Sequence, residues 1–214
     1  LALSGCVRLG INLEVSDSDR VSGSVVVAAL DQWQELAGEE GDLERLVDSY
    51  ASVPGARESG YDQDGYRGSE IRFDGVSIAD FSNPSSGDAP ITIRREGDNI
   101  ELRGSFDFSA INPEDFGGEG TFTTRTVATE DLGELYVRVT LPGDIVSTNG
   151  VVDEVTNTVS WRLRAGEPNR LSATAYSPPG LPLWIWGAIG ASALALGAVG
   201  IWFALRKRSP EQPA

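Results

Sequence analysis

The sequence contains no histidine, and its only lysine is Lys207, near the C-terminus. Histidine is the commonest general base, metal ligand and pH switch in proteins, so its absence removes the usual routes to catalysis and metal binding. The rest of the chain has only carboxylates with which to activate a nucleophile. The sequence therefore predicts a protein that is not an enzyme, with no catalytic residues, no metal site and no cofactor.

Methionine is also absent, and Cys6 is the only cysteine. A single cysteine excludes an internal disulfide and any site built from several cysteines. The preceding residues, Leu3-Ser4-Gly5, match a bacterial lipobox, in which the signal peptide is cut before the cysteine and the sulfur receives a diacylglycerol. We expect residues 1–5 to be the remnant of a signal peptide and Cys6 to be lipidated. The alternative is a cysteine buried in the first strand.

The longest apolar run covers residues 183–205, which is 23 residues without a charge. As a helix it would be about 34 Å long, against a hydrocarbon core of about 30 Å. This pattern predicts a single transmembrane helix after a short linker, residues 177–182. Aromatic rings near the ends and a basic flank are typical of anchored, oriented spans. The residues concerned are Trp184, Trp186, Trp202, Arg206, Lys207 and Arg208. The tail, residues 206–214, is then cytoplasmic, and the chain before the helix lies outside the cell membrane.

The chain before the apolar run is strongly acidic. Three of the 17 basic and one of the 32 acidic residues lie in the tail, which leaves 14 basic against 31 acidic residues and a net charge of −17. Such a charge repels nucleic acid and anionic surfaces at long range. We therefore expect no nucleic-acid partner, although a local arginine cluster can still bind a phosphate.

Alternating apolar and polar residues predict that most of residues 6–176 form strands with one buried face. The predicted class is α+β, mainly antiparallel sheet with one N-terminal helical region at 29–51. Residues 54–68 and 112–120 are predicted loops. The predicted strands are 7–15, 21–29, 91–95, 100–108, 121–128, 135–141, 159–163 and 171–175, with short strands or turns at 69–73 and 76–81.

Two kinds of charged cluster suggest binding sites. Asp17–Asp19 and Asp62–Gly65 could supply oxygen ligands to Ca²⁺, or could be solvated acidic loops. Arg94, Arg95 and Arg103 lie near one predicted hairpin turn, where they could bind a phosphate or pair with neighbouring acidic residues. With so many carboxylates, a carboxylate-dependent hydrolase also stays open as the least favoured function.

The segment 141–176 carries the most specific pattern in the chain. It contains Pro142-Gly143 before a strand, the turn Thr148-Asn149-Gly150, the strand Val159-Ser160-Trp161 and, near its end, Leu171-Ser172-Ala173. Together with the lipobox, the SGSVVV strand and the apolar run, it resembles the LppM family of actinobacterial lipoproteins.

This resemblance implies an extracytoplasmic α+β domain at the cell envelope with a non-enzymatic role in contacting lipids, such as phosphatidylinositol mannosides in mycobacteria. The expected partners are the membrane and a phospholipid or glycolipid. Trp33 or Trp161 could line an apolar lipid pocket or belong to the ordinary core. The alternative function is a module that engages another envelope protein through an exposed strand edge or patch.

Overall fold

The computed structural model describes residues 7–30, 42–86, 89–109, 133–164 and 166–178, all within one compact unit, Leu1–Pro178. These residues form eleven strands and two short helices. In chain order they are β1 (Val7–Val15), β2 (Arg20–Leu30), α1 (Asp42–Ala51), β3 (Arg57–Gln63), β4 (Tyr66–Ser77), α2 (Ile78–Phe81), β5 (Ile91–Glu96), β6 (Asn99–Asp107), β7 (Gly133–Thr140), β8 (Asp144–Thr148), β9 (Val151–Asp153), β10 (Thr158–Arg162) and β11 (Pro168–Tyr176).

The larger sheet has seven strands in the order β3-β4-β2-β1-β7-β10-β9. Its central strand is β1, which pairs antiparallel with β2 and parallel with β7. The parallel pair joins residues far apart in the chain, because Val7 lies opposite Gly133. The remaining pairs are antiparallel.

The smaller sheet has four antiparallel strands in the order β5-β6-β11-β8. The chain passes from this sheet into the larger one between β8 and β9, through Asn149 and Gly150. These two residues therefore form a corner at which the edges of the two sheets meet.

One apolar core is shared by both sheets. Along β1 the odd-numbered side chains, from Val7 to Val15, are buried, and the register gives β2 and β7 matching buried residues. The smaller sheet contributes isoleucines and phenylalanines, including Ile93 and Phe106, to the same cluster. Burial of this apolar surface is the main stabilising contribution to such a fold.

The two helices pack on the sheets at one side of the core. In α1, Leu46 and Tyr50 lie one turn apart and are both buried, as expected for an amphipathic helix. Tyr50 contacts Phe73 of β4 and Phe81 of α2, with ring centroids 6.1 and 5.8 Å away. The short α2 begins at Ser77, whose hydroxyl accepts a hydrogen bond from the Asp80 backbone N–H, a common N-cap.

The predicted fold class is wrong. The described residues are mostly β-sheet, and helix is limited to α1 and the four residues of α2. The predicted helical region at 29–51 is helical only from Asp42 within the described residues, since β2 continues to Leu30 and residues 31–41 lie outside them. Ala29 and Leu30 belong to a strand because they pair with Arg67 and Tyr66 of β4.

The predicted loop at 54–68 is also wrong, because it contains β3 and the start of β4. Six of the seven β3 residues are exposed, so this strand has no apolar alternation to reveal it. Its conformation comes from pairing with β4 along its whole length. By contrast, the predicted hairpin of 91–95 with 100–108 and the strands at 7–15, 135–141 and 159–163 are confirmed within a residue or two, and the strand at 171–175 is confirmed within three.

The transmembrane part of the fold prediction is not supported. Within the described part of the chain, neither helix is long and apolar enough to cross a membrane. The segment 183–205, on which the prediction rested, lies outside the described residues.

Candidate functional site

The seven-stranded sheet has one face toward the core and one toward solvent, which we call the outer face. On β1 the even-numbered residues Arg8, Gly10, Asn12 and Glu14 belong to the outer face, because the odd-numbered ones are buried in the core. Strand pairing extends this assignment to each neighbouring strand, since directly paired residues point to the same side of a sheet.

A row of residues, all polar except the last, crosses the middle of the outer face. Each member is the direct strand partner of the next, through every strand of the sheet. In sheet order the row is Arg57, Arg72, Ser24, Asn12, Arg138, Ser160 and Val151. We call it the arginine row. It contains three arginines and no acidic residue, although the chain before residue 183 is strongly acidic.

The three arginines differ in their surroundings. Arg72 Nη2 lies 2.9 Å from Glu70 Oε2, and this carboxylate raises the pKa of Arg72. Arg138 lies over the ring of Tyr136, 4.6 Å from its centroid, an arrangement in which the ring attracts the cation. Arg57 is exposed and directly opposite Arg72. Like charges in that position repel each other, and the Glu70 carboxylate beside Arg72 offsets part of this repulsion.

A shallow groove of about 360 Å³ adjoins the row on the outer face. Its polar lining combines a cation, a carboxylate, an amide and three hydroxyls: Arg138, Glu14, Asn12, Ser22, Thr140 and Thr158. The hydroxyls of Thr140 and Thr158 lie 2.8 Å apart, and Asn12 Nδ2 donates to the Tyr136 hydroxyl at 3.3 Å. Together these groups offer both hydrogen-bond donors and acceptors, as a ligand with phosphate or several hydroxyls requires.

The floor of the groove depends on Gly23. Its φ is +134°, and a Cβ there would lie 2.1 Å from the carbonyl oxygen of Asn12. The pairing of β2 with β4 also shifts register between Val21 and Gly23, which is typical of a β-bulge. Only glycine permits β1 and β2 to approach this closely at the groove.

On the same face, near the start of β1, Arg8 contacts two tyrosine side chains. Its guanidinium lies over the ring of Tyr66 at 4.4 Å and donates to the hydroxyl of Tyr61 at 2.7 Å. It also lies 3.4 Å from Asp64. Arginine and tyrosine are over-represented in binding surfaces, and this face carries both at two separate places.

A second groove, of about 430 Å³, lies on the solvent side of the four-stranded sheet. Arg103 and Arg170 line it and are diagonal neighbours, because their direct partners are Ser172 and Ser105. Arg103 also lies 3.3 Å from Glu101, which lines the same groove. Variants in this groove can therefore serve as controls for variants in the first groove.

Of the three hairpin arginines that could form a phosphate site, only Arg94 and Arg103 lie on one face of the smaller sheet, and Arg103 pairs with Glu101. Arg94 and Arg103 lie on the solvent side of the smaller sheet, whereas Arg95 turns toward the β1–β2 turn. There its Nε lies 2.7 Å from Asp19 Oδ1, and its side chain is only 14% exposed. Adjacent residues of a strand point to opposite faces, so Arg94 and Arg95 cannot share a ligand.

The two acidic loops that could have supplied calcium ligands make internal contacts instead. Asp19 pairs with Arg95, and Asp17 Oδ1 accepts a hydrogen bond from the Ser177 hydroxyl at 3.3 Å. Asp62 lies 3.5 Å from Arg67. In the described ranges, no group of three or more potential ligands could hold a metal ion.

Trp161 belongs to the core. It is 7% exposed, and its Nε1 donates to Asn149 Oδ1 at 2.8 Å. Trp33, Cys6 and the predicted anchor residues lie outside the described part of the chain. The anchor residues are Trp184, Trp186, Trp202, Arg206, Lys207 and Arg208.

Sequence reasoning missed the arginine row. Its members come from seven strands spread between residues 12 and 160, and no local motif joins them. The available signal was the polar alternation of each strand, but alignment of those strands requires the register, including the parallel pair of β1 and β7.

Comparison with known proteins identifies the family. The model of the LppM domain matches residues 8–177. Protein LppM of Mycobacterium tuberculosis is 27% identical over 225 residues, covering 99% of this chain and 87% of the relative. The NMR structure of the folded domain of M. tuberculosis LppM aligns with a TM-score of 0.56 at 24% identity, covering 82% of this chain and 92% of that one, which supports the fold. The chain thus belongs to the LppM family.

Proposed function

We propose that this chain is a membrane-anchored lipoprotein of the cell envelope with a non-enzymatic role, and that its outer face binds the polar headgroup of a lipid or glycolipid. Membership of the LppM family supports the envelope assignment. The anchor is a diacylglycerol on Cys6, which directly precedes β1. One observation carries the binding site, namely the groove beside an acid-free row of three arginines.

The chemistry of the groove suits such a headgroup. The Arg138 guanidinium can donate two parallel hydrogen bonds to phosphate oxygens. Asn12 and the hydroxyls of Thr140 and Thr158 can bind sugar or glycerol hydroxyls, while Glu14 accepts hydrogen bonds from them,. The groove is open and polar, so it suits a headgroup whose acyl chains stay in the membrane.

Native mass spectrometry of the full chain extracted from its own cells tests this proposal. We expect a retained phospholipid or glycolipid whose occupancy falls at least fivefold in the variant Arg138→Gln. The matched control is Arg103→Gln in the groove of the smaller sheet, which should leave occupancy unchanged. Absence of lipid from the wild type, or equal loss in both variants, would contradict the proposed site.

A second candidate function is favoured by the β3 edge of the larger sheet, beyond which the described residues place no further strand. β3 ends the sheet, is seven residues long and is almost fully exposed, so its backbone can pair with a strand from another envelope protein. By contrast, the β5 edge is capped, because the Ser82 hydroxyl both donates to the Ile93 carbonyl and accepts from its N–H. Loss of a crosslinked partner in the variant Gly60→Pro, with lipid occupancy intact, would support this function.

A further inference from the structure

We propose that the outer face of the seven-stranded sheet lies against the anionic surface of the membrane, with the arginine row facing the lipid phosphates. This inference rests on the proposed lipidation of Cys6. It goes further because it fixes the orientation of the whole domain rather than the binding of one headgroup.

The position of the proposed anchor limits the possible orientations. Cys6 directly precedes Val7, the first residue of β1, and β1 is the central strand of the larger sheet. No spacer separates the acyl chains from the sheet, so one end of β1 is held at the headgroups. The strand is nine residues long, or about 30 Å. The domain can therefore stand upright on this end or lie down on one side.

Electrostatics favours lying on the outer face. With 31 acidic and 14 basic residues before the apolar run, most of the surface is repelled by anionic lipids,. The arginine row is the exception across the full width of the larger sheet, although Glu14, Glu70 and Asp153 lie beside it on the same face and reduce the attraction. Charges on the opposite sheet lie roughly 10 Å or more away, about one Debye length at physiological salt, so they weaken this local attraction only in part.

Residues beside the row fit the same interface. Val151 ends the row on β9 and is 76% exposed, which places an aliphatic side chain where it can enter the acyl boundary. Tyr136 holds Arg138 by ring stacking, and tyrosine is enriched at the headgroup level of membranes. An acidic protein could also bind arginine and tyrosine, but a lipid on Cys6 would keep the membrane close to β1 at all times.

Site-specific fluorescence tests the orientation on the full chain. Ser24→Cys lies in the arginine row, and Ser172→Cys lies on the solvent side of the smaller sheet. Each variant is isolated with its native lipid, labelled with an environment-sensitive maleimide and reconstituted into phosphatidylcholine vesicles with or without phosphatidylglycerol. Quenching by lipids spin-labelled at the headgroup reports contact with the bilayer. A diacylated Cys6 cannot react with maleimide, so labelling of the wild type reports failure of the proposed lipidation separately.

We expect strong quenching at position 24 and weak quenching at position 172, with the difference present only in phosphatidylglycerol vesicles and reduced by salt. Replacement of Arg57, Arg72 and Arg138 with glutamine should lower the ratio of docked to free domain by about fivefold per arginine. The control, replacement of Arg94, Arg103 and Arg170 with glutamine, changes the net charge equally and should have little effect.

Equal quenching at both positions would overturn the proposed orientation, as would equal effects of the two triple variants. If position 24 does not react with maleimide in intact cells, and a label attached there after isolation is not quenched by lipid, a protein covers this face and the membrane assignment is wrong. The quenching results apply to protein whose Cys6 does not react with maleimide in the wild type, so that the label is at position 24 or 172 alone.

Discussion

Asn149 and Trp161 join the two sheets at the corner where the chain passes between them. The Asn149 side-chain oxygen accepts a hydrogen bond from Trp161 Nε1 at 2.8 Å and another from the Ser172 backbone N–H at 2.9 Å. Its amide nitrogen donates to the Arg170 carbonyl at 2.8 Å. One side chain therefore connects β10 of the larger sheet with β11 of the smaller one.

Replacement of Asn149 with alanine should lower the free energy of unfolding by about 1–2 kcal/mol, because three hydrogen bonds are lost around a mostly buried tryptophan. The matched control is Asn83→Ala, which removes one exposed hydrogen bond to the Ala79 carbonyl and should cost less. Urea unfolding followed by tryptophan fluorescence measures both. Equal losses would show that Asn149 does not link the sheets energetically.

Gly150→Ala should also destabilise the corner. A Cβ at this position would lie 2.6 Å from Val159 Cγ1 and 2.7 Å from the Trp161 ring, so buried side chains would have to move at a cost of about 1–3 kcal/mol. Gly60→Ala on β3 is the control, because a Cβ there has no atom within 4 Å. Thermal unfolding should show a lower Tm for the first variant and little change for the second.

Arg95→Met should weaken the contact between the β1–β2 turn and the end of the domain. Arg95 pairs with Asp19 and donates to the Ser177 carbonyl. Without this partly buried cation, both acceptors lose a charged hydrogen-bond donor. We expect about 1–3 kcal/mol of destabilisation and faster proteolysis near Pro178. Arg94→Met removes an exposed arginine from the same strand, and an equally large effect there would argue against this contact.

Tyr50 should remain un-ionised until the protein unfolds. Burial raises the pKa of its hydroxyl far above the ordinary value, because the charged form loses its hydration. The group binds its proton more tightly when folded, so its contribution to stability is complete below the unfolded pKa of about 10 and is lost as the pH rises above it. Ultraviolet titration should show one tyrosine, Tyr50, that does not ionise before the alkaline unfolding transition.

Tyr50→Phe gives the corresponding stability test. The Tyr50 hydroxyl is buried and has no hydrogen-bond partner in the described part of the chain, so its removal should leave stability at neutral pH unchanged or slightly higher. The variant should also unfold at a higher alkaline pH than the wild type. A loss of more than about 1 kcal/mol at neutral pH would mean that the hydroxyl has a partner that stabilises the fold.

Much of the strand content was predictable from local pattern. Strands such as β1, β6 and β10 alternate apolar and polar residues, because one face meets the core and the other meets water. The polar turn at Asp17–Asp19 and the turn after Glu96 likewise follow from their composition. β3 could not be found in this way, since both of its faces are exposed.

The sequence by itself determined the alternation of each strand, the acidic balance and the isolated cysteine before β1. Only the tertiary structure decided which strands are neighbours and in what register. That register brings Arg57, Arg72 and Arg138 into one row. Arg95 and Arg94 lie on opposite faces of the smaller sheet, and Arg95 contacts Asp19. The physical reason is that alternation sets which side chains face water, whereas backbone pairing between distant segments sets which of those side chains meet.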